Sequence, residues 1–97
     1  MERVVVIYRD PGSGGYKIAP STLIGHTNDV VKFRDVSGDG IGATLKFPDH
    51  PFKSEPGIGS EHVVVTKGPR AYPYKVLCGP NNEFEAEGSR PIIIIYD

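Results

Sequence analysis

The sequence has little of what most metal, disulfide and membrane proteins depend on. Its 97 residues contain one cysteine, one methionine and no tryptophan. A single cysteine excludes an internal disulfide and any zinc or iron–sulfur site that needs several thiolates. The longest apolar block, residues 92–96, is far shorter than the ~18 apolar residues that a transmembrane helix requires.

An excess of charge of one sign is also missing. Eleven Lys and Arg against twelve Asp and Glu give a formal net charge of −1. We therefore expect no binding to nucleic acid or to an anionic membrane. No signal peptide is recognisable, because Met1-Glu2-Arg3 runs directly into a strand-like segment. This predicts a soluble protein, cytoplasmic if Met1 is native and periplasmic or otherwise extracytoplasmic if the chain is a mature fragment.

Windows long enough for a helix are missing as well. Twelve glycines and nine prolines divide the chain into short runs in which apolar and polar residues alternate. This pattern is typical of an all-β sandwich or barrel, and the length fits a single domain over residues 1–97. The predicted strands are Arg3–Arg9, Tyr16–Ala19, Val30–Arg34, Ala43–Phe47, Glu61–Thr66, Tyr72–Cys78 and Pro91–Tyr96.

The alternation also predicts which side chains face the core. The first and last strands are apolar on both faces, so we expect them to lie centrally in a sheet, and pairing with each other is one way to achieve this. The segment 37–40, Ser-Gly-Asp-Gly, predicts a hairpin turn between Phe33 and Leu45. The inward-facing sets are Val31 with Phe33, Leu45 with Phe47, Val63 with Val65, and Tyr72 with Tyr74, Val76 and Cys78.

Several segments, taken in order, resemble the cupredoxin family. They are Ile18–Pro20 with Asp29–Phe33, then Gly42–Asp49, then Tyr72–Pro80 before the terminal apolar strand. The resemblance covers most of the chain after Tyr16. It implies an all-β, Greek-key β-sandwich of about seven to eight strands. The alternative is an immunoglobulin- or fibronectin-like sandwich, although the missing tryptophan and cysteine pair argue against an antibody-type domain.

In copper-binding cupredoxins a cysteine thiolate, two imidazoles and a soft axial ligand hold the metal. The resemblance places the cysteine at Cys78, the first histidine at or near Ala43, the second histidine at Asn81 and the methionine at Ala86. Both imidazoles and the methionine are thus replaced. We expect no copper and no other cofactor, with Cys78 acting as a small hydrophobic side chain. The alternative is a weak metal or electron-transfer site formed by Cys78 and a nearby histidine, for which His50 is the candidate.

No constellation of a nucleophile, a base and an orienting group is recognisable, so we expect no enzyme activity. The role that remains is a binding, interaction or structural module. An acidic loop with one aromatic side chain suits a docking patch for a protein partner, and its residues are Glu83, Phe84, Glu85 and Glu87. The alternative is a solvated loop in which Phe84 is tucked into the end of the sandwich. A homodimer through end loops or through a strand edge near 63–66 or 92–96 is a further expectation.

Overall fold

The computed structural model describes residues 1–38, 43–79, 81–88 and 90–96. Every regular element within these residues is a β-strand. The same residues contain no helix long and apolar enough to span a membrane. The strands are β1 (Glu2–Arg9), β2 (Tyr16–Ala19), β3 (Thr22–Gly25), β4 (Val30–Asp35), β5 (Thr44–Lys46), β6 (Glu61–Val63), β7 (Arg70–Pro73), β8 (Lys75–Cys78), β9 (Phe84–Glu85) and β10 (Ile92–Ile95).

The strands form three sheets. Sheet A has the order β2-β1-β4-β6, sheet B has β3-β10-β7, and sheet C has β5-β8-β9. Strand β1 is antiparallel to β2 and parallel to β4, and β10 is parallel to β3 and antiparallel to β7. The first and last strands are therefore central, as predicted, but in different sheets rather than paired. Because β10 has a neighbour on each side, residues 92–95 offer no free edge for a homodimer.

One hydrophobic core lies between sheet A and the other two sheets. In β1 the alternation buries Val5 and Ile7 completely and leaves Val4 partly exposed, as expected for a strand with one face on a core. Phe33 fills the centre and contacts the rings of Phe47, Phe52 and Tyr74 edge-on. The buried hydrophobic residues are Val5, Ile7, Tyr16, Leu23, Val31, Phe33, Leu45, Phe52, Val64, Tyr72, Tyr74, Val76, Cys78, Ile93 and Ile95.

The predicted strand Tyr72–Cys78 is in fact two strands in two sheets. Strand β7 pairs with β10, whereas β8 pairs with β5 and β9. The chain passes from sheet B to sheet C directly after Pro73. Proline has no N–H group to donate, so it interrupts the hydrogen-bond ladder at this point. The predicted inward face is confirmed across the break, since Tyr72, Tyr74, Val76 and Cys78 are all buried.

The predicted inward pair Val63 and Val65 is wrong. Their side chains are 39% and 49% exposed, while His62 and Val64 face the core. Three consecutive valines leave the alternation ambiguous, and a charged or polar neighbour normally marks the outer face. His62 is nevertheless accommodated inside, because its Nε2 lies 3.0 Å from the backbone of Gly57.

Two short strands, β3 and β9, were not predicted. The hairpin predicted at 37–40 is not formed, because the flanking strands β4 and β5 belong to different sheets. Asp39 and Gly40 of that turn, like Pro80 of the cysteine loop, lie outside the described residues.

Candidate functional site

The C-terminal end of β8 brings together three of the positions that the cupredoxin resemblance assigns to copper ligands. Cys78 ends the strand and is 1% exposed. Thr44 pairs with Leu77, so Ala43 lies one step further along, beside Cys78. On the other side Phe84 is the partner of Cys78, and the Ala86 N–H donates to the carbonyl of Val76 at 3.0 Å, which places Ala86 across from a residue two positions before Cys78. Both alanines pack against the core, and a methyl group has no donor atom for a metal.

The loop after Cys78 turns inward at a different asparagine from the one the sequence pointed to. Asn81 is exposed, whereas Asn82 is half-buried, and its Oδ1 is buried without a partner among the described residues. The Asn82 N–H donates to the carbonyl of Gly79 at 3.2 Å, and its φ is 52°. Asparagine tolerates this left-handed conformation better than most residues, which is the only sequence signal that could have singled out Asn82.

His50, the candidate partner for Cys78, lies towards the other end of β8. Its ring packs edge-on against Phe47, and Phe47 stacks on Tyr74. Tyr74 is four residues before Cys78, roughly 13 Å along a strand. Both ring nitrogens of His50 are engaged: Nδ1 accepts from the Phe52 N–H at 3.2 Å, and Nε2 is 3.4 Å from a Glu55 carboxylate oxygen.

The other two histidines belong to sheet A and the turn before it. His62 is buried beside Phe33 and Phe52, and the exposed His26 precedes β4. In the part of the chain that the structure describes, no three His, Cys, Asp or Glu side chains are grouped closely enough to hold a metal ion. The residues around Cys78 thus do not supply the donor set that type I copper requires.

The acidic loop follows Cys78 and lies at the C-terminal end of β8. We term Glu83, Phe84, Glu85 and Glu87 the acidic end. They border a cavity of about 370 Å³ whose opposite wall is formed by Arg9, Tyr16 and the turn 13–15. Phe84 is 51% exposed and stacks on Tyr16, with 6.1 Å between ring centroids and an interplanar angle of 24°. Phe84 is thus a surface side chain held on a buried ring, not a side chain tucked into the sandwich.

Close backbone packing holds the acidic end in place. The Phe84 ring lies so close to Gly79 that a Cβ there would meet it at 2.7 Å, and Gly79 has a φ of 91°. The Glu87 N–H donates to the carbonyl of Tyr16 at 2.7 Å, and the Glu87 carboxylate lies over Gly15, where a Cβ would overlap it. Glycine is required at residue 79 for both the conformation and the contact.

The wall opposite the glutamates is a hydrogen-bonded turn. Asp10 accepts from the Gly12 N–H at 2.8 Å and faces the Lys17 ammonium at 3.4 Å, and these contacts lower the pKa of Asp10, the Gly12 bond most of all. The Arg9 Nε donates to the Gly14 carbonyl at 2.9 Å, and the guanidinium lies 5.1 Å from the centre of the Tyr16 ring. Arg9 therefore contacts both its own turn and the Tyr16 ring.

The architecture matches a known fold. The crystal structure of pseudoazurin from Methylobacterium extorquens AM1 superimposes with a TM-score of 0.56 and 19% identity, over 100% of this chain and 76% of the pseudoazurin chain. This chain has a cupredoxin-like fold. No protein-family model matches the sequence, and no curated protein is significantly similar to it. At this identity the likeness establishes the cupredoxin-like fold alone, and the role has to be argued from the residues.

Proposed function

We propose that this cupredoxin-like domain is a copper-free binding module that docks a protein partner through the acidic end. The observation that carries the proposal is Phe84, an aromatic ring 51% exposed and held on Tyr16 between glutamates. The partner expected from this chemistry presents Lys or Arg side chains next to a large apolar side chain. The apolar group packs on Phe84, and the cations pair with the carboxylates.

The charges around Phe84 support this assignment. No ion pair among the described residues joins Glu83, Glu85 or Glu87 to a cation. Aromatic side chains at the centre of a patch supply most of the binding energy in protein interfaces. Charges at the rim steer the partner and set its orientation. The acidic end has both features within a five-residue segment.

The absence of copper is proposed from the alanines at residues 43 and 86 and from the engaged His50 ring. On adding one equivalent of Cu(II) we expect none of the intense visible absorption of a thiolate–copper site. The control is Cys78→Ala, which should give the same spectrum and the same weak Cu(II) affinity as the parent. A blue colour at stoichiometric copper that disappears in Cys78→Ala would contradict the copper-free assignment and favour electron transfer.

Docking at the acidic end is tested with a defined probe, a capped peptide of sequence Lys-Leu-Arg-Trp-Lys, titrated into labelled protein and followed by amide chemical shifts. We expect shifts at residues 83–87 and 9–16. Phe84→Ala should weaken binding at least about fivefold. Tyr96→Ala is the matched control for Phe84→Ala, because Tyr96 is similarly exposed, at 54%, but lies outside the acidic end.

The carboxylates are tested by the double variant Glu83→Gln/Glu85→Gln against Glu2→Gln/Glu61→Gln, which removes the same charge from exposed positions of sheet A. Peptide binding should be weaker in the first double variant than in the parent. Binding to the parent itself should weaken as the salt concentration rises. Equal losses in the two double variants, shifts that map elsewhere, or no binding at millimolar peptide would contradict docking at the acidic end.

A further inference from the structure

A second cavity, of about 340 Å³, lies at the N-terminal end of β8, away from Cys78. Phe47 and Tyr74 line it, and their rings are stacked with 4.4 Å between centroids and an interplanar angle of 9°. Lys46, Lys75 and Arg90 also line it, and none of the described residues that line it is acidic. We term this cavity the basic cleft. We propose that the basic cleft binds a small, flat aromatic compound that carries one anionic group, a carboxylate or a phosphate ester.

The two lysines are placed where a stable sheet would avoid them. Lys46 and Lys75 are direct partners across β5 and β8, so their Cβ atoms are about 5 Å apart. Like charges directly opposite each other destabilise a strand pair. No ion pair among the described residues links either lysine to a carboxylate, although Lys17 and Arg70 are paired with Asp10 and Asp49. An anion held between the lysines removes the repulsion.

Tyr74 adds a second unexplained feature to the same cavity. Its side chain is 1% exposed, and its hydroxyl has no hydrogen-bond partner among the described residues. A buried hydroxyl without a partner is costly and uncommon in folded proteins. Burial raises the pKa of Tyr74, so the hydroxyl keeps its proton and remains a donor. Tyr74 lines the cleft, and the proposal therefore includes an acceptor atom of the ligand that reaches this buried hydroxyl and supplies its missing partner.

The shape and polarity of the cleft define the ligand class. Its volume falls within the range of small-molecule sites, which combine apolar and aromatic walls with a few polar groups that fix orientation. The Phe47 and Tyr74 rings, with Pro73 beside them, suit a flat apolar body. The cations at the edge suit an anion and repel a cation. The basic cleft therefore differs from the acidic end in both position and charge.

The ligand class is tested by titrating labelled protein with 2-naphthoate and with 1-naphthyl phosphate. Two controls separate the ring from the charge: 2-naphthalenemethanol has the ring without the charge, and inorganic phosphate has the charge without the ring. We expect amide shifts at Phe47, Tyr74 and Lys75, with both controls at least tenfold weaker than the better anionic probe. The tighter of the two anionic probes identifies the anionic group. Equal binding of 2-naphthalenemethanol, or shifts confined to other surfaces, would overturn the proposal.

The residues are tested by Lys46→Gln/Lys75→Gln, which we expect to weaken binding of the better probe at least tenfold. Lys53→Gln/Lys67→Gln is the matched control, because it removes the same charge from exposed positions outside the cleft. Removing the like-charge pair should leave the urea midpoint of Lys46→Gln/Lys75→Gln unchanged or higher. A loss of binding in this variant can then not be attributed to unfolding. Tyr74→Phe should also weaken binding while the midpoint is maintained. Equal losses in the two lysine variants would overturn the assignment to the cleft.

Discussion

Gly68 lies directly against the backbone of β10. A Cβ at this position would overlap the carbonyl oxygen of Ile95 and crowd the backbone of Tyr96. Backbone atoms cannot rotate away as a side chain can, so the strand or the loop has to shift. We expect Gly68→Ala to lower the free energy of unfolding by about 2 kcal/mol or more, measured by urea denaturation.

Gly57 provides the matched control for Gly68. No atom lies within 4 Å of the position that a Cβ would take at Gly57. Gly57→Ala should therefore leave the free energy of unfolding unchanged or raise it by up to about 1 kcal/mol, since alanine restricts the unfolded chain. Equal losses of unfolding free energy in Gly68→Ala and Gly57→Ala would show that the close approach to Ile95 does not restrict the side chain at residue 68.

Asp29 predicts a pH dependence of stability. Burial acts to raise the pKa of this carboxyl, but the backbone N–H of His26, the Met1 ammonium and Arg3 outweigh it and lower the pKa below its usual value. A carboxyl with a lowered folded-state pKa contributes stability that is present above its unfolded-state pKa and is lost as the pH falls through the folded-state value. The contribution of Asp29 should thus be complete at pH 6 and decrease as the pH falls through the lowered folded-state pKa.

The test compares the parent with Asp29→Asn by urea denaturation from pH 6 to pH 2.5. At pH 6 the variant should be less stable by about 1–3 kcal/mol, because charged hydrogen bonds are lost from a buried position. The difference between the two proteins should shrink as the pH falls below 4. A difference that stays constant over this range would show that the Asp29 charge contributes nothing.

The strands that could be predicted are those that the local pattern of apolar and polar residues is enough to identify. β1, β2, β4 and β10 have enough alternating or apolar residues to be recognised within one or two residues of their ends. β3 and β9 could not be predicted, because β9 has two residues and β3 depends on a parallel pairing with β10. No local signal reports a partner about 70 residues away in the chain.

The site was predictable only in part for the same reason. The order of segments was enough to bring Ala43 and Ala86 towards Cys78, since the strands that carry them follow a known arrangement. The register of β5 on β8 that opposes Lys46 to Lys75 cannot be read from either strand alone. The inward turn of Asn82 likewise depends on the loop backbone rather than on a pattern of residue types.

The four isoleucines of β10 look identical in sequence but are not equivalent in the sheet. Ile93 and Ile95 are fully buried, while Ile92 and Ile94 are only partly covered. We expect Ile93→Val to lower the free energy of unfolding by about 1 kcal/mol, and Ile94→Val by less than half of that. Because both variants lose one methylene and keep the β-branched shape, urea midpoints compare burial directly. Equal losses would mean that the outer face of β10 is also covered.

The charges are distributed in a way that the composition conceals. A net charge of −1 over 97 residues suggests a featureless surface, yet the acidic end and the basic cleft lie at opposite ends of β8. The acidic end is a short segment, residues 83–87, whose charge is offset by cations elsewhere in the chain. The basic cleft combines Lys46, Lys75 and Arg90, which are far apart in the chain and produce no run of like charge. The overall balance is therefore compatible with two local surfaces of opposite charge, the ones on which the two proposals depend.

Unfolding should be a single transition, because no sheet has a core of its own. The three strands of sheet C have 3, 4 and 2 residues, fewer than the roughly 5–6 residues of a usual strand. Val76 and Cys78 of this sheet are buried in the cluster that also holds Val5 and Phe33 of sheet A. Far-UV circular dichroism and tyrosine fluorescence should report coincident urea transitions, with a slope of about 1–3 kcal/mol/M. The protein has five tyrosines and no tryptophan; Tyr8 and Tyr16 lie in sheet A and Tyr72 lies in sheet B, so the fluorescence samples both sides of the core. Transitions that do not coincide would mean that part of the sandwich unfolds before the rest.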